Sequence, residues 1–266
     1  MGEIYFGPGG NIGKDIFESL RNIREFGLDA QELEFVHGVT MGEETAKKAG
    51  TLAKELGVRL SIHAPYYINL LSEERAKIEA SKKRIFSCCR IGHILGAKSV
   101  VFHPAFYGKN EKEEAFGKVK TEIEDLMNAI EKEKLSPEIC AETMGKISQF
   151  GELDELIRLK HDTGCNICLD FAHLYARYKG VINYKEIFNK LNDANIEQIH
   201  CHFSGIVYGD KGERNHIQMT DEFAIPLIEE LIKHDIEMTI INESPNPLKG
   251  ALDLKRLYEK YAKLYK

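Results

Sequence analysis

The amino-acid sequence predicts one α/β domain over residues 1–266, a (β/α)8 TIM barrel, on three observations. Short apolar runs alternate with longer amphipathic segments from end to end, the pattern of parallel strands covered by helices. The strand-like runs number eight, the count that closes a barrel. No linker, composition break or low-complexity tract divides the chain, and 266 residues suffice for one large core.

In order, the eight runs are EIYFG, QELEFV, RLSIH, SVVFH, EICAE, NICLD, EQIHCHF and EMTIINE. Their length suits strands rather than helices. Between them lie segments such as GKDIFESLRNIREFG, EERAKIEASKKRIFSCCRIGHILG, KVKTEIEDLMNAIEKEK, ELDELIRLKHDTG and EFAIPLIEELIKHD. Apolar residues recur there three and four apart, as on a helix with one buried face. Several such segments close on glycine (Gly27, Gly57, Gly96, Gly164), the residue favoured just past a helix C-terminus. An open, doubly wound sheet is the competing architecture. The stretch after the first run, GPGGNIG, is glycine-rich but lacks the spacing of a dinucleotide fingerprint.

The net charge of −6 gives no overall basic field for nucleic acid. An enzyme whose metal ions supply the local positive charge stays open. Lys and Glu dominate the charged residues, which leans toward a heat-adapted source. The start, MGEIYFGPGG, lacks the basic and apolar regions of a signal peptide, and no run approaches a membrane span. Of six cysteines, four lie in or beside apolar runs, as reduced, buried thiols of a cytoplasmic protein do. CNIC has a C-x-x-C spacing but runs into a strand without a second pair, so it reads as core.

The chemistry gathers where the runs stop. His63, His103, Glu142, Asp170 with His173, His202, His216 in the following loop, and Glu243 all stand at or just past a strand end. In a barrel these ends meet on one face, where catalytic groups sit. Singly, a strand-end histidine reads more readily as a hydrogen-bonded core residue. A buried, unpaired carboxylate is harder to dismiss, because it is costly. The convergence of eight such groups favours a cluster. Imidazole and carboxylate without thiolate or lysine favour Zn2+ or Mn2+ over a covalent mechanism. His200 and His202 share a face by alternation, and His202, nearer the strand end, is the expected ligand. His200 then lies one layer deeper. His37, His93, His161 and His234, on helices or on the second strand, read as structural.

These residues resemble the endonuclease IV family of apurinic/apyrimidinic endonucleases, within the xylose-isomerase-like barrels. The resemblance covers nearly the whole chain. It is most specific in HAPYYINL, FHP, the glutamate of AET, LDFAH, the strand-seven histidine and the glutamate before SPNP. It implies a monomeric DNA-repair hydrolase with two or three zinc ions, cleaving double-stranded DNA 5′ to abasic sites. By that resemblance His63 and His103 hold one ion, and Glu142 bridges it to a second completed by Asp170, His202 and Glu243. His173 and His216 hold a third. Glu142 and Glu243 are the implied catalytic carboxylates, and Tyr66 and Asn69 the implied DNA contacts. Two features depart from the family. Where it has D-R-H, this chain reads GERNHIQM, so either Glu213 replaces the aspartate at a longer spacing or Arg214 stands in its place. The loop VHGVTMGEE offers no arginine to insert into DNA. The competing function is a sugar isomerase or epimerase with one divalent ion on Glu142, Asp170, His202 and Glu243. A protein that binds nicked or abasic DNA without cutting it is the third reading.

Overall fold

Residues 2–264 are described in the computed structural model of the chain. Eight parallel strands form the barrel: β1 (Ile4–Pro8), β2 (Ala30–Glu34), β3 (Arg59–His63), β4 (Ser99–Phe102), β5 (Glu138–Glu142), β6 (Asn166–Asp170), β7 (Gln198–Phe203) and β8 (Glu237–Asn242). Each pairs with the next in sequence from β2 to β8, and β8 returns to pair with β1. A parallel bridge from Gly9 to Glu32 joins β1 to β2, and the Asp29 amide donates to the Phe6 carbonyl at 3.1 Å. At Gly7 that seam requires glycine, since a Cβ there would stand 1.9 Å from the Ala30 carbonyl oxygen.

The helices lie outside: α1 (Ile16–Glu25), α2 (Glu43–Leu56), α3 (Arg75–Leu95), α4 (Lys112–Lys132), α5 (Leu153–Thr163), α6 (Phe171–Arg177), α7 (Tyr184–Asp193), α8 (Asp221–Lys233) and α9 (Pro247–Ala262). The four glycines expected at helix ends all have left-handed backbones, with φ between 68° and 78°. Alternation sorts the strand residues. Ile62, Phe102, Ile139, Ile167 and Phe203 join the main core shared with the helices, whereas Val101, Cys140 and Cys168 form a separate cluster. That division is expected when alternate side chains face the helices and the barrel axis.

Two small additions sit among the strand-end loops. Residues Ala105–Phe106 pair with Gln149–Phe150, and a hairpin of Gly205–Gly209 and Gly212–Ile217 follows β7, where the sequence suggested only a loop. His37 also departs from expectation: β2 ends at Glu34, so His37 belongs to the loop beyond it. All six cysteines are free and buried. No helix among the described residues is long and apolar enough to cross a membrane.

Candidate metal centre

The strand ends bring the predicted residues around Glu142, which closes β5 and is 1% exposed. Its Oε2 lies 2.9 Å from His103 Nε2 and 3.2 Å from His63 Nε2. Its Oε1 lies 3.2 Å from both His173 Nδ1 and His202 Nδ1. Donor atoms of Glu142, Asp170, His202 and Glu243 fall within 4.8 Å of one another, as do those of His63, Glu142 and His202. The neighbouring registers account for this closeness, since Asp170 on β6 stands opposite His202 on β7.

Backbone and hydroxyl partners orient three of the imidazoles. Nδ1 of His63 is 2.8 Å from the Ala64 carbonyl, Nδ1 of His173 is 3.0 Å from that of Thr143, and Nδ1 of His216 is 2.6 Å from Ser204 Oγ. The two carbonyls accept only, so His63 and His173 are held with Nδ1–H donating. Ser204 Oγ donates to the Gly205 carbonyl at 3.0 Å and so accepts from His216 in the same way. In each ring Nε2 is therefore the nitrogen that can bind an ion once it has given up its proton.

Asp170 tests whether this set suits a cation. Its Oδ1 caps α6 by accepting the His173 amide at 2.7 Å. Its Oδ2 is buried without a hydrogen-bond partner among the described residues. Burial pushes the Asp170 carboxyl above its ordinary range, against the pull of His173. Burial also disfavours an ionised Glu142, but the charges of His103 and His202 and its hydrogen bonds hold it well below that range. A buried acceptor with no partner is costly, and four imidazoles crowd one carboxylate. Divalent ions satisfy both conditions, and nitrogen with oxygen donors suits zinc.

Loading should be visible in protons. Burial lowers the basicity of His63, but the hydrogen bond and charge of Glu142 and the charge of Glu32 raise its pKa to about 9. Without an ion, the His63 ring is therefore protonated at neutral pH, and a ligand nitrogen must give that proton up. Adding zinc to metal-free protein in weak buffer near pH 7 should release protons, with less released above the His63 pKa. Zinc uptake without proton release would contradict this arrangement.

The hairpin supplies a third lobe. Glu213 Oε2 is 3.1 Å from His173 Nε2 and accepts the Gly145 amide at 3.1 Å, while Oε1 is 3.2 Å from Lys146 Nζ. The His216 ring centre is 5.4 Å from that of His173. A regular strand would turn residues 213 and 216 to opposite faces. Here the register passes from Tyr208 opposite Glu213 to Val207 opposite Asn215, leaving Arg214 as an extra residue. This bulge returns Glu213 and His216 to one side. Arg214 is exposed and lies against Gly209. Of the two readings that GERNH left open, the geometry favours Glu213 beside His173. Glu213→Gln should therefore weaken the ion nearest His173 and leave the others in place, as metal analysis across a chelator titration would read. Unchanged retention of every ion would remove Glu213 from the ligand set.

A cavity of about 380 Å3 opens over the centre, lined in part by Glu34, His63, His103, Tyr66, Glu213 and Glu243. Tyr66 is 56% exposed at its rim, edge-on to Tyr67 and His37. Asn69 is committed to its own loop: its Oδ1 accepts the amides of Leu71 at 3.0 Å and Phe106 at 3.3 Å. What it offers a ligand is therefore its Nδ2 donor.

Sequence reasoning misses two carboxylates near the centre. Glu34, pushed up by burial and by the charges of Glu243 and Glu32, lines the cavity. Glu32 is fully buried one layer below, 2.8 Å from Nε2 of both His200 and His202. The available signal is an acidic residue in a strand whose faces are both expected to be covered.

A family profile described as xylose isomerase-like TIM barrel matches residues 20–261. An uncharacterized protein of Methanocaldococcus jannaschii is 37% identical over 257 residues, 92% of each chain. A probable endonuclease 4 of Mycobacterium leprae is 24% identical over 188 residues, 66% of this chain and 72% of that one. Endonuclease IV of Thermus thermophilus superposes with a TM-score of 0.76 at 19% identity, covering 97% of this chain and 100% of the other. A D-tagatose 3-epimerase-like protein superposes at 0.74 and 20% identity, covering 98% and 99%. Likeness at these identities shows the fold, and the two scores do not separate a nuclease from an epimerase.

Proposed function

The chain belongs to the xylose isomerase-like TIM barrel family, and from that premise we propose that it is a zinc-dependent phosphodiesterase hydrolysing the DNA backbone 5′ to abasic sites. The observation that carries this reading is the surplus of donors. Glu142, Asp170, His202 and Glu243 would suffice for one ion, yet His63 and His103 also aim Nε2 at Glu142. A further set, His173, Glu213 and His216, stands beside them. The sequence likeness to a probable endonuclease 4 favours the same reading.

Bound divalent ions would neutralise the non-bridging phosphate oxygens and acidify the attacking water. The chain's own groups supply the rest. Glu142, central to four imidazoles, would help hold the ions and keep those rings oriented toward them. Glu243 stands at the mouth with its side chain 19% exposed and Oε1 3.4 Å from His202 Nδ1. There it would take a proton from the attacking water. Tyr66, exposed at the rim of the cavity, would offer its ring to a nucleotide bound there.

The second reading, a one-ion sugar isomerase or epimerase, rests on the compactness of the Glu142–Asp170–His202–Glu243 set. It leaves the other imidazoles and Glu213 without a role. Metal analysis of the purified protein separates the two. The phosphodiesterase reading expects more than one zinc per chain, and a single ion at saturation would favour the sugar enzyme.

A further inference from the structure

We infer that Glu32 is a positioning residue that sets the ring orientation of His202 and, through it, the ion affinity of the Glu142–Asp170–His202–Glu243 set; this rests on the metal reading above. The outer nitrogens of His63 and His216 meet neutral acceptors, a carbonyl and a hydroxyl, and that of His173 meets the Thr143 carbonyl beside the carboxylates of the cluster itself. His202 differs in meeting a carboxylate from outside the cluster. Its Nδ1 faces Glu142 and Glu243, and its Nε2 lies 2.8 Å from Glu32 Oε1. Both residues are 0% exposed.

Glu32 is itself fixed from two sides. Its Oε2 accepts from Ser61 Oγ at 2.8 Å, across the β2–β3 register, and from His200 Nε2 at 2.8 Å, from β7 on the far side of the axis. The other oxygen, Oε1, makes no hydrogen bond, and neither does His202 Nε2, although the two atoms lie 2.8 Å apart. A turn of the His202 ring would be enough to complete that bond. A carboxylate on the outer nitrogen of a metal-bound imidazole fixes its tautomer and makes it a stronger donor. A structural filler at this position would not need a buried charge, which is costly to keep.

On the other side of the carboxylate, His200 Nε2 faces Glu32 at 2.8 Å.

Glu32→Gln tests the inference, because the amide keeps the volume and an acceptor oxygen for Ser61 or His200. The readouts are zinc affinity by competition with a chromophoric chelator, thermal melting, and nitrogen-15 shifts of the His202 ring. The expected result is affinity at one site lowered roughly 10- to 100-fold. The His202 tautomer should become mixed, while the melting of the metal-free protein and the remaining ions stay unchanged. Glu32→Asp should restore part of the affinity. Unchanged affinity with unchanged ring shifts would overturn the inference, as would a loss fully explained by a lower melting temperature. Cys168 Sγ also lies within 4.8 Å of donors on His200 and His202. Cys168→Ser should keep the metal content, and loss of an ion there would show that the layer is a metal site instead. These measurements use zinc and no DNA, so they read the role of Glu32 whether or not the chain cuts abasic DNA.

Discussion

Glu142→Gln is expected to lower cleavage of an abasic duplex by about 10^3-fold or more, equivalent to about 4 kcal/mol of transition-state stabilisation. The carboxylate is 1% exposed and touches His63, His103, His173 and His202 through its two oxygens. Glutamine keeps the shape but removes the charge and turns an N–H2 toward imidazoles that need an acceptor or a shared ion. The loss should appear in kcat, with reduced metal content and an unchanged fold of the metal-free protein by circular dichroism. Activity near that of the unaltered protein would refute a bridging role for Glu142.

His202→Ala should be almost as severe, because the same ring serves both compact donor sets around Glu142. Removing it should empty an ion site, with cleavage falling by about 10^3-fold. His200→Ala should leave the ion count at saturating zinc unchanged and lower affinity only through the loosened Glu32. The contrast follows from depth, since His202 Nδ1 is 3.2 Å from Glu142 whereas His200 Nε2 is 2.8 Å from Glu32. An ion lost from His200→Ala and kept in His202→Ala would reverse the assignment.

The barrel was legible because its strands are short apolar runs whose polar endings mark the mouth, and because Gly27, Gly57, Gly96 and Gly164 punctuate the helices. The convergence around Glu142 was legible for the same reason, since strand ends in a parallel barrel share one face. Glu32 was not. In QELEFV its alternation with apolar residues resembles a half-solvated strand, and its partners Ser61, His200 and His202 come from distant parts of the sequence. Nor was the geometry of GERNH legible, because one extra residue reverses every later side chain unless a bulge absorbs it. The pairing that places the bulge at Arg214 involves Val207 and Tyr208, which carry no local signal for it. The hairpin itself was hidden because its Gly212–Ile217 strand is mostly polar, with a single fully buried residue.

Incubating the zinc-loaded protein with a duplex carrying a single tetrahydrofuran abasic analogue tests the proposed chemistry most directly. The predicted result is one nick on the 5′ side of the analogue, leaving a 3′-hydroxyl, suppressed by a chelator and by Glu142→Gln. An intact duplex with protein that holds more than one zinc per chain would contradict it.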